Sequence, residues 1–250
     1  MELFSACFRF HGFLNTILTR PHQAGQLTYQ FSGSPGVKDA IEACGIPHTE
    51  VNQILLNDRS TTFHQQLQAG DLLDIYPYDC PAERDVPLYL NPAPEFPLGF
   101  ILDVHLGKLA RRLRMLGFDC IYRNDFEDSE IITTAIRDRR VILTRDRGIL
   151  KHACVDHGLL IRSGRADNQV NEVLARFQLY GDIIPFSRCP LCNGTLSPVD
   201  KQVIEPFLLP KTARYYQEFH QCMSCGKVYW QGAHYQNLVQ WIARTAARNK

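Results

Sequence analysis

Gly99-Phe100-Ile101-Leu102-Asp103-Val104-His105-Leu106-Gly107-Lys108-Leu109-Ala110-Arg111-Arg112-Leu113-Arg114 places a four-residue apolar run, an acid and a helix-period stripe in immediate succession. The run reads as a buried strand. Leu106, Leu109, Ala110, Leu113 and Leu116 recur at helical spacing, and Gly117 stands where such a helix would end. The same alternation continues downstream. Residues 119–123 read as a second strand followed by Asn124-Asp125, and a helix is expected from about Asp128 with Ile131, Ile132, Ala135 and Ile136 inward. Residues 141–144 form a third strand leading into Arg145-Asp146, and residues 158–161 a fourth ending at Arg162-Ser163. Strands alternating with helices at this spacing imply right-handed crossovers and a parallel sheet, hence an α/β domain over residues 99–181.

A parallel sheet delivers every strand's C-terminal end to one edge, the usual ligand crevice of open α/β folds. Asp103, Asp125, Asp128 and Asp146 each follow a strand and are expected along that crevice. Clustered carboxylates need a counter-charge, and hard oxygen donors suit Mg²⁺ or Mn²⁺. Such an ion assists phosphodiester hydrolysis. Asp128 also fits a helix N-cap and Asp125 a turn. Lys108, Arg111, Arg112 and Arg114 lie mostly off the apolar stripe, and Arg145 and Arg147 flank Asp146. Lys108, Arg111, Arg112, Arg145 and Arg147 are candidate phosphate contacts, although solvated or locally paired cations would give the same pattern.

Cys189-Pro190-Leu191-Cys192 and Cys222-Met223-Ser224-Cys225 are separated by 29 residues. Two such knuckles complete a closed tetrahedral shell for structural zinc; an iron–sulfur cluster is the other metal reading. Residues 182–250 are therefore expected to form a zinc ribbon and a C-terminal helix, with strands at 203–209, 215–220 and 228–230. Tyr215, Tyr216, Tyr229, Trp230 and Tyr235 beside Lys211, Arg214 and Lys227 could stack on unpaired bases or build the ribbon's small core. The other five of the nine cysteines are scattered, which argues against a disulfide framework.

Upstream, residues 3–10 and 26–31 read as strands. Val37, Ala40, Ile41 and Cys44 mark a short helix closed by Gly45, and residues 54–57 and 71–76 return to strand character. Two strands, a helix and two strands over residues 1–79 is a β-grasp order. The stretch resembles ubiquitin-like sulfur carriers in Phe8-Arg9-Phe10, Val37-Lys38-Asp39-Ala40-Ile41 and the Gly70-Asp71 strand entry. Those carriers are activated at a free terminal Gly-Gly. Tyr76-Pro77-Tyr78-Asp79-Cys80 has no such pair and the chain continues, so a non-conjugating docking domain for a protein or ribonucleoprotein is expected. Pro81, Pro87, Pro92, Pro94 and Pro97 mark residues 80–98 as a linker.

The chain has 250 residues, 45% hydrophobic and 21% charged, which excludes disordered and collagen-like classes. Its net charge of +1 conceals an asymmetry: residues 1–80 hold four basic and eight acidic groups, whereas residues 98–250 hold 22 and 15. Met1-Glu2-Leu3-Phe4 lacks a basic, apolar leader and no run is long enough to span a bilayer, so a cytoplasmic location is expected.

The quoted stretch, with Asn124-Asp125 and Ile142-Leu143-Thr144-Arg145-Asp146-Arg147, resembles the Mut-seven C-terminal RNase domain, a branch of the PIN-like nucleases. The likeness continues through the zinc tail to Trp230-Gln231-Gly232-Ala233-His234. It implies a PIN-like three-layer fold and a metal-dependent endoribonuclease activity on RNA, carried by Asp103, Asp128 and Asp146 with Asp125 as a fourth acid. One departure is Gly148, where related PIN-like sequences often carry a second acid. The competing functional class is an RNA or ribonucleoprotein adaptor with a degenerate acidic crevice.

Overall fold

The computed structural model describes residues 3–82, 90 and 94–249. These fall into two compact units, each built from separated pieces of chain: Met1–Phe96 with Glu127–Ile161, and Pro97–Phe126 with Arg162–Lys250. Most of the expected linker, residues 83–89 and 91–93, lies outside the described residues.

The first unit begins with strands β1 (Phe4–Phe10) and β2 (Gln26–Phe31), helix α1 (Val37–Ala43), and strands β3 (Gln53–Leu56), β4 (Arg59–Ser60) and β5 (Leu72–Tyr76). They form one sheet in the order β2-β1-β5-β3-β4, with β1 and β5 parallel at its centre, which is the β-grasp arrangement. Alternation builds this layer. Ala6, Phe8 and Phe10 of β1 and Leu27, Tyr29 and Phe31 of β2 point inward, and the Phe8 and Tyr29 rings stack at 5.1 Å. Val37, Ala40 and Ile41 of α1 are buried, and Gly45 ends the helix at φ +99°, where a Cβ would meet Thr19 at 2.6 Å.

Next along the chain come β6 (Gly99–Leu102), α2 (Gly107–Met115), β7 (Asp119–Tyr122), α3 (Asp128–Arg137), β8 (Val141–Thr144), α4 (Arg147–Leu150), β9 (Gly158–Leu160) and α5 (Ala166–Phe177). In the second unit β6 and β7 are parallel, with Gly99 opposite Asp119 and Leu102 opposite Tyr122. In the first, β8 and β9 are parallel, with Ile142 opposite Gly158. The expected α/β class with parallel strands is present. Phe100, Ile101, Leu102 and all of β8 are buried, which is why those runs read as continuously apolar. The whole Leu106 to Leu116 stripe is buried, and Gly117 closes it at φ +101°.

Ile136 departs from expectation at 52% exposure. It lies at the flank of the face set by Ile131, Ile132 and Ala135, beyond a helix's inward stripe. Helix α5 has no counterpart in the sequence-based expectations, although Val170, Val173, Leu174 and Phe177 recur at helical spacing and are buried.

The rest of the second unit contains β10 (Leu196–Val199), α6 (Lys201–Ile204), α7 (Pro210–Tyr215), β11 (Phe219–Cys222), β12 (Val228–Trp230) and α8 (Tyr235–Ala246). Strands β10, β11 and β12 form an antiparallel ribbon. The strand expected at 203–209 is instead α6, a 3₁₀ turn over Glu205–Phe207 and the entry to α7. Pro206 and Pro210 cannot donate to a ladder but suit the first positions of helical turns. The strand expected at 215–220 begins only at Phe219, because α7 runs through Tyr215. No helix among the described residues is long and apolar enough to cross a membrane.

Candidate functional site

The two knuckles bring Cys189, Cys192, Cys222 and Cys225 together, with all four sulfurs within 4.8 Å of one another. The Cys189 and Cys225 sulfurs lie 3.8 Å apart, and those of Cys192 and Cys222 3.4 Å. Four thiolates at about 2.3 Å from a tetrahedral zinc would be separated by about 3.8 Å, so the quartet fits that ion. Burial opposes ionisation of Cys189, but the Tyr229 hydroxyl, 3.0 Å from its sulfur, and the backbone N–H groups of Cys192 and Leu191 outweigh it and bring the thiol down to about 6. Burial and the surrounding sulfurs push Cys192 up to about 12. Neighbouring thiols of this kind cannot all ionise without a cation among them. Among the described residues, this is the one group of three or more His, Cys, Asp or Glu side chains whose ligand atoms could reach a single ion.

The first knuckle is fastened to the α2–β7 region by two residues whose roles were not legible in advance. Arg114 is 3% exposed; its Nε and Nη2 donate to Cys120 O at 2.9 and 2.8 Å, and its Nη1 to Leu191 O at 2.9 Å. Asn193 accepts from Cys120 N at 3.0 Å and donates to Asp119 at 2.8 Å. An arginine on an otherwise basic helix and an asparagine after a knuckle carry no mark of these long-range partners.

The acids have distinct surroundings. In the second unit, Asp103 follows the buried end of β6 and is 5% exposed, while Asp125 is exposed and accepts from Arg123 Nε at 2.9 Å. That hydrogen bond holds the Asp125 carboxyl below the usual aspartate range. In the first unit, exposed Asp128 is the first residue of α3. The cap is Glu127, whose backbone N–H donates to Glu130 Oε2 at 3.0 Å, so the N-cap reading belongs one residue earlier. Asp146 follows the buried strand β8 and caps α4. Its backbone N–H donates to Thr144 Oγ1 at 2.8 Å, and its Oδ1 accepts from Gly148 N at 2.6 Å. A Cβ at Gly148 would stand 3.0 Å from that oxygen, so the glycine leaves the carboxylate room while its amide orients it.

The expected phosphate contacts divide into two groups. Lys108, Arg111 and Arg145 are exposed. Arg112 instead sits 4.4 Å over the Trp241 ring and 3.4 Å from Asp167. Arg147 donates through Nη1 to Ile17 O at 2.7 Å, which ties the turn after Asp146 to the β-grasp layer. Other contacts reinforce that tie within the first unit. Glu50, 1% exposed, accepts from Leu160 N at 2.6 Å; His48 contacts Val155 O at 2.8 Å; and Lys151 Nζ donates to Glu42 O at 2.5 Å.

A β-grasp layer, parallel α/β elements and a four-cysteine ribbon thus follow one another along the chain. The Mut7-C RNAse domain family model matches residues 98–242, more than half of the chain, so the protein belongs to that family; the Mut7-C ubiquitin model matches residues 4–83. No curated protein and no solved structure matches the chain.

Proposed function

We propose that this protein is a cytoplasmic metal-dependent endoribonuclease of the Mut7-C type, acting in RNA processing or turnover. The observation that carries the reading is the family match over residues 98–242, within which Asp103 and Asp146 each stand directly behind a buried strand. Asp103, Asp128 and Asp146 would hold Mg²⁺ or Mn²⁺, with Asp125 as the peripheral fourth acid. Carboxylate oxygens are the donor type these hard ions prefer, although these acids are not among the groups of described residues whose ligand atoms converge on one ion. An ion held there would supply Lewis-acid chemistry, polarising a phosphodiester oxygen and favouring attack by water. Lys108, Arg111 and Arg145 hold the RNA phosphates. Arg112 and Arg147 contribute by packing, given their partners. The proposed domains are residues 1–79, a linker over 80–98, residues 99–181 and residues 182–250. The ubiquitin-like domain offers a protein or ribonucleoprotein docking surface, and the zinc is structural.

Asp103→Asn and Asp146→Asn proteins, assayed with Mn²⁺ on single-stranded and structured RNA, should lose cleavage by about 100-fold or more while staying folded. Undiminished cutting by both would remove the nuclease proposal. The adaptor reading is favoured by one observation, that the cysteine quartet is the one tight metal-binding group among the described residues. RNA retention with no products under any divalent ion would decide for it.

A further inference from the structure

Most of the exposed large apolar side chains of the described chain gather in its C-terminal part: Val203, Phe207, Leu209, Tyr215, Met223 and Trp230 are 39–84% exposed. Two of them, Tyr215 and Trp230, line a cavity of about 890 Å³ that lies wholly within the second unit, between the zinc ribbon, α7 and the start of α8. This volume is near the upper end of the roughly 300–1,000 Å³ typical of small-ligand clefts, room for a nucleotide and not merely an ion. Its walls are aromatic. Tyr215, Tyr216 and Trp230 line one part and Phe186 and Tyr235 another, with the Tyr216 and Trp230 rings 6.3 Å apart and the Phe186 and Tyr235 rings 5.3 Å apart.

The charge on the rim selects the occupant. Lys211, Lys227 and Arg188 line the cavity against a single acid, Glu218. Arg188 is already engaged, 3.5 Å from Asp119, whereas Lys211 and Lys227 are exposed. Arg214 stacks 5.6 Å over Tyr215 at the edge, giving an aromatic face backed by a cation. Ring faces at intervals with ammonium groups between them suit flat bases joined by phosphates. An apolar peptide helix would gain nothing from these cations.

From this we infer that the aromatic groove of the zinc ribbon binds unpaired nucleotides of a single RNA strand, with Tyr215, Tyr216 and Trp230 stacking on bases and Lys211 and Lys227 holding phosphates. The site rests on the reading of the chain as an RNA-acting protein, and it assigns that activity single-stranded segments. A zinc ion held by the four cysteines would act here only through the fold, by fixing Cys189, to which the groove residue Tyr229 is hydrogen bonded.

The test uses the full zinc-loaded chain carrying Asp146→Asn and a fluorescein-labelled single-stranded oligouridine of ten nucleotides, in buffer without Mg²⁺ or Mn²⁺. Anisotropy should report binding at least about tenfold tighter than to a duplex of equal length. Tyr215→Ala and Trp230→Ala should each weaken it by about 5- to 100-fold, the range for loss of one base–aromatic stack. Trp230→Phe should restore most of the affinity. Lys227→Ala should lower the slope of log K against log salt by about 0.7, the value for one single-strand phosphate contact. Tyr215 is 68% exposed, so its variant reads binding even where a Trp230 variant unfolds.

Unchanged oligouridine affinity in folded Tyr215→Ala and Trp230→Ala proteins overturns the inference, as does equal affinity for the duplex. Cleavage of long RNA that Asp146→Asn abolishes, together with unaltered binding by the aromatic variants, removes this site alone. Loss of binding in the aromatic variants, with no cleavage under any divalent ion, removes the nuclease reading alone.

Discussion

Replacing Glu50 with alanine should destabilise the first unit by about 3 kcal/mol. The carboxylate is 1% exposed and accepts from the amide of Leu160, itself in the buried strand β9, at 2.6 Å. A hydrogen bond to a charged group contributes about 1.5–3 kcal/mol, and its removal strands a buried N–H and opens a small void, both adding to the cost. For a unit of this size that corresponds to a fall in Tm of about 6–12 °C. Glu50→Gln keeps a carbonyl oxygen at the same reach and should cost about 1 kcal/mol. Calorimetry gives the Tm, and hydrogen exchange gives the local effect: protection of the Leu160 amide should drop by about 100-fold in Glu50→Ala. An unchanged Tm with unchanged protection of residues 158–160 would refute the idea that the β-grasp layer is packed onto β9, and would leave it merely tethered by the chain.

Two further outcomes follow from buried groups. Arg114→Lys should destabilise the second unit by about 3 kcal/mol and speed zinc loss to a chelator, because one ammonium cannot serve Cys120 O and Leu191 O together; zinc release timed with a colorimetric dye checks this. Burial pushes the Cys44 thiol up to about 11, so it should resist alkylation at pH 9 while the exposed Cys80 and Cys154 react, as mass spectrometry of the labelled chain would show. Since the folded thiol titrates above an ordinary one, its contribution is complete below about pH 9 and is lost as pH rises toward 11.

Much of the α/β architecture was legible because short buried strands and amphipathic helices obey simple periods. β6 and β8 were bounded to the residue by their apolar runs. The cysteine quartet was legible because knuckle spacing is a local constraint. Residues 203–209 misled because Val203, Phe207 and Leu209 resemble strand residues by composition, yet nothing in the local pattern reveals that they stay exposed. Arginines were the hardest to read. Arg112, Arg114 and Arg147 look alike on the page, and only distant partners, an indole, a set of carbonyls and Ile17 O, separate them from exposed Arg111 and Arg145. Asp146 and Gly148 form a single local device whose two members each looked isolated: the amide of one fixes the carboxylate of the other.

The interleaving of the two units has a consequence for synthesis. The chain passes between them after Phe96, Phe126 and Ile161. A growing polypeptide released from the ribosome up to Phe96 lacks β8 and β9, which belong to the same unit, and the strand pair β6 and β7 must wait for α5 and the cysteine knuckles. Apolar surfaces of both units are thus exposed until late in translation, when aggregation competes with folding. Cutting the gene at the family-model boundary near residue 98 should therefore yield two poorly soluble fragments, and coexpressing them would be the way to recover the parts.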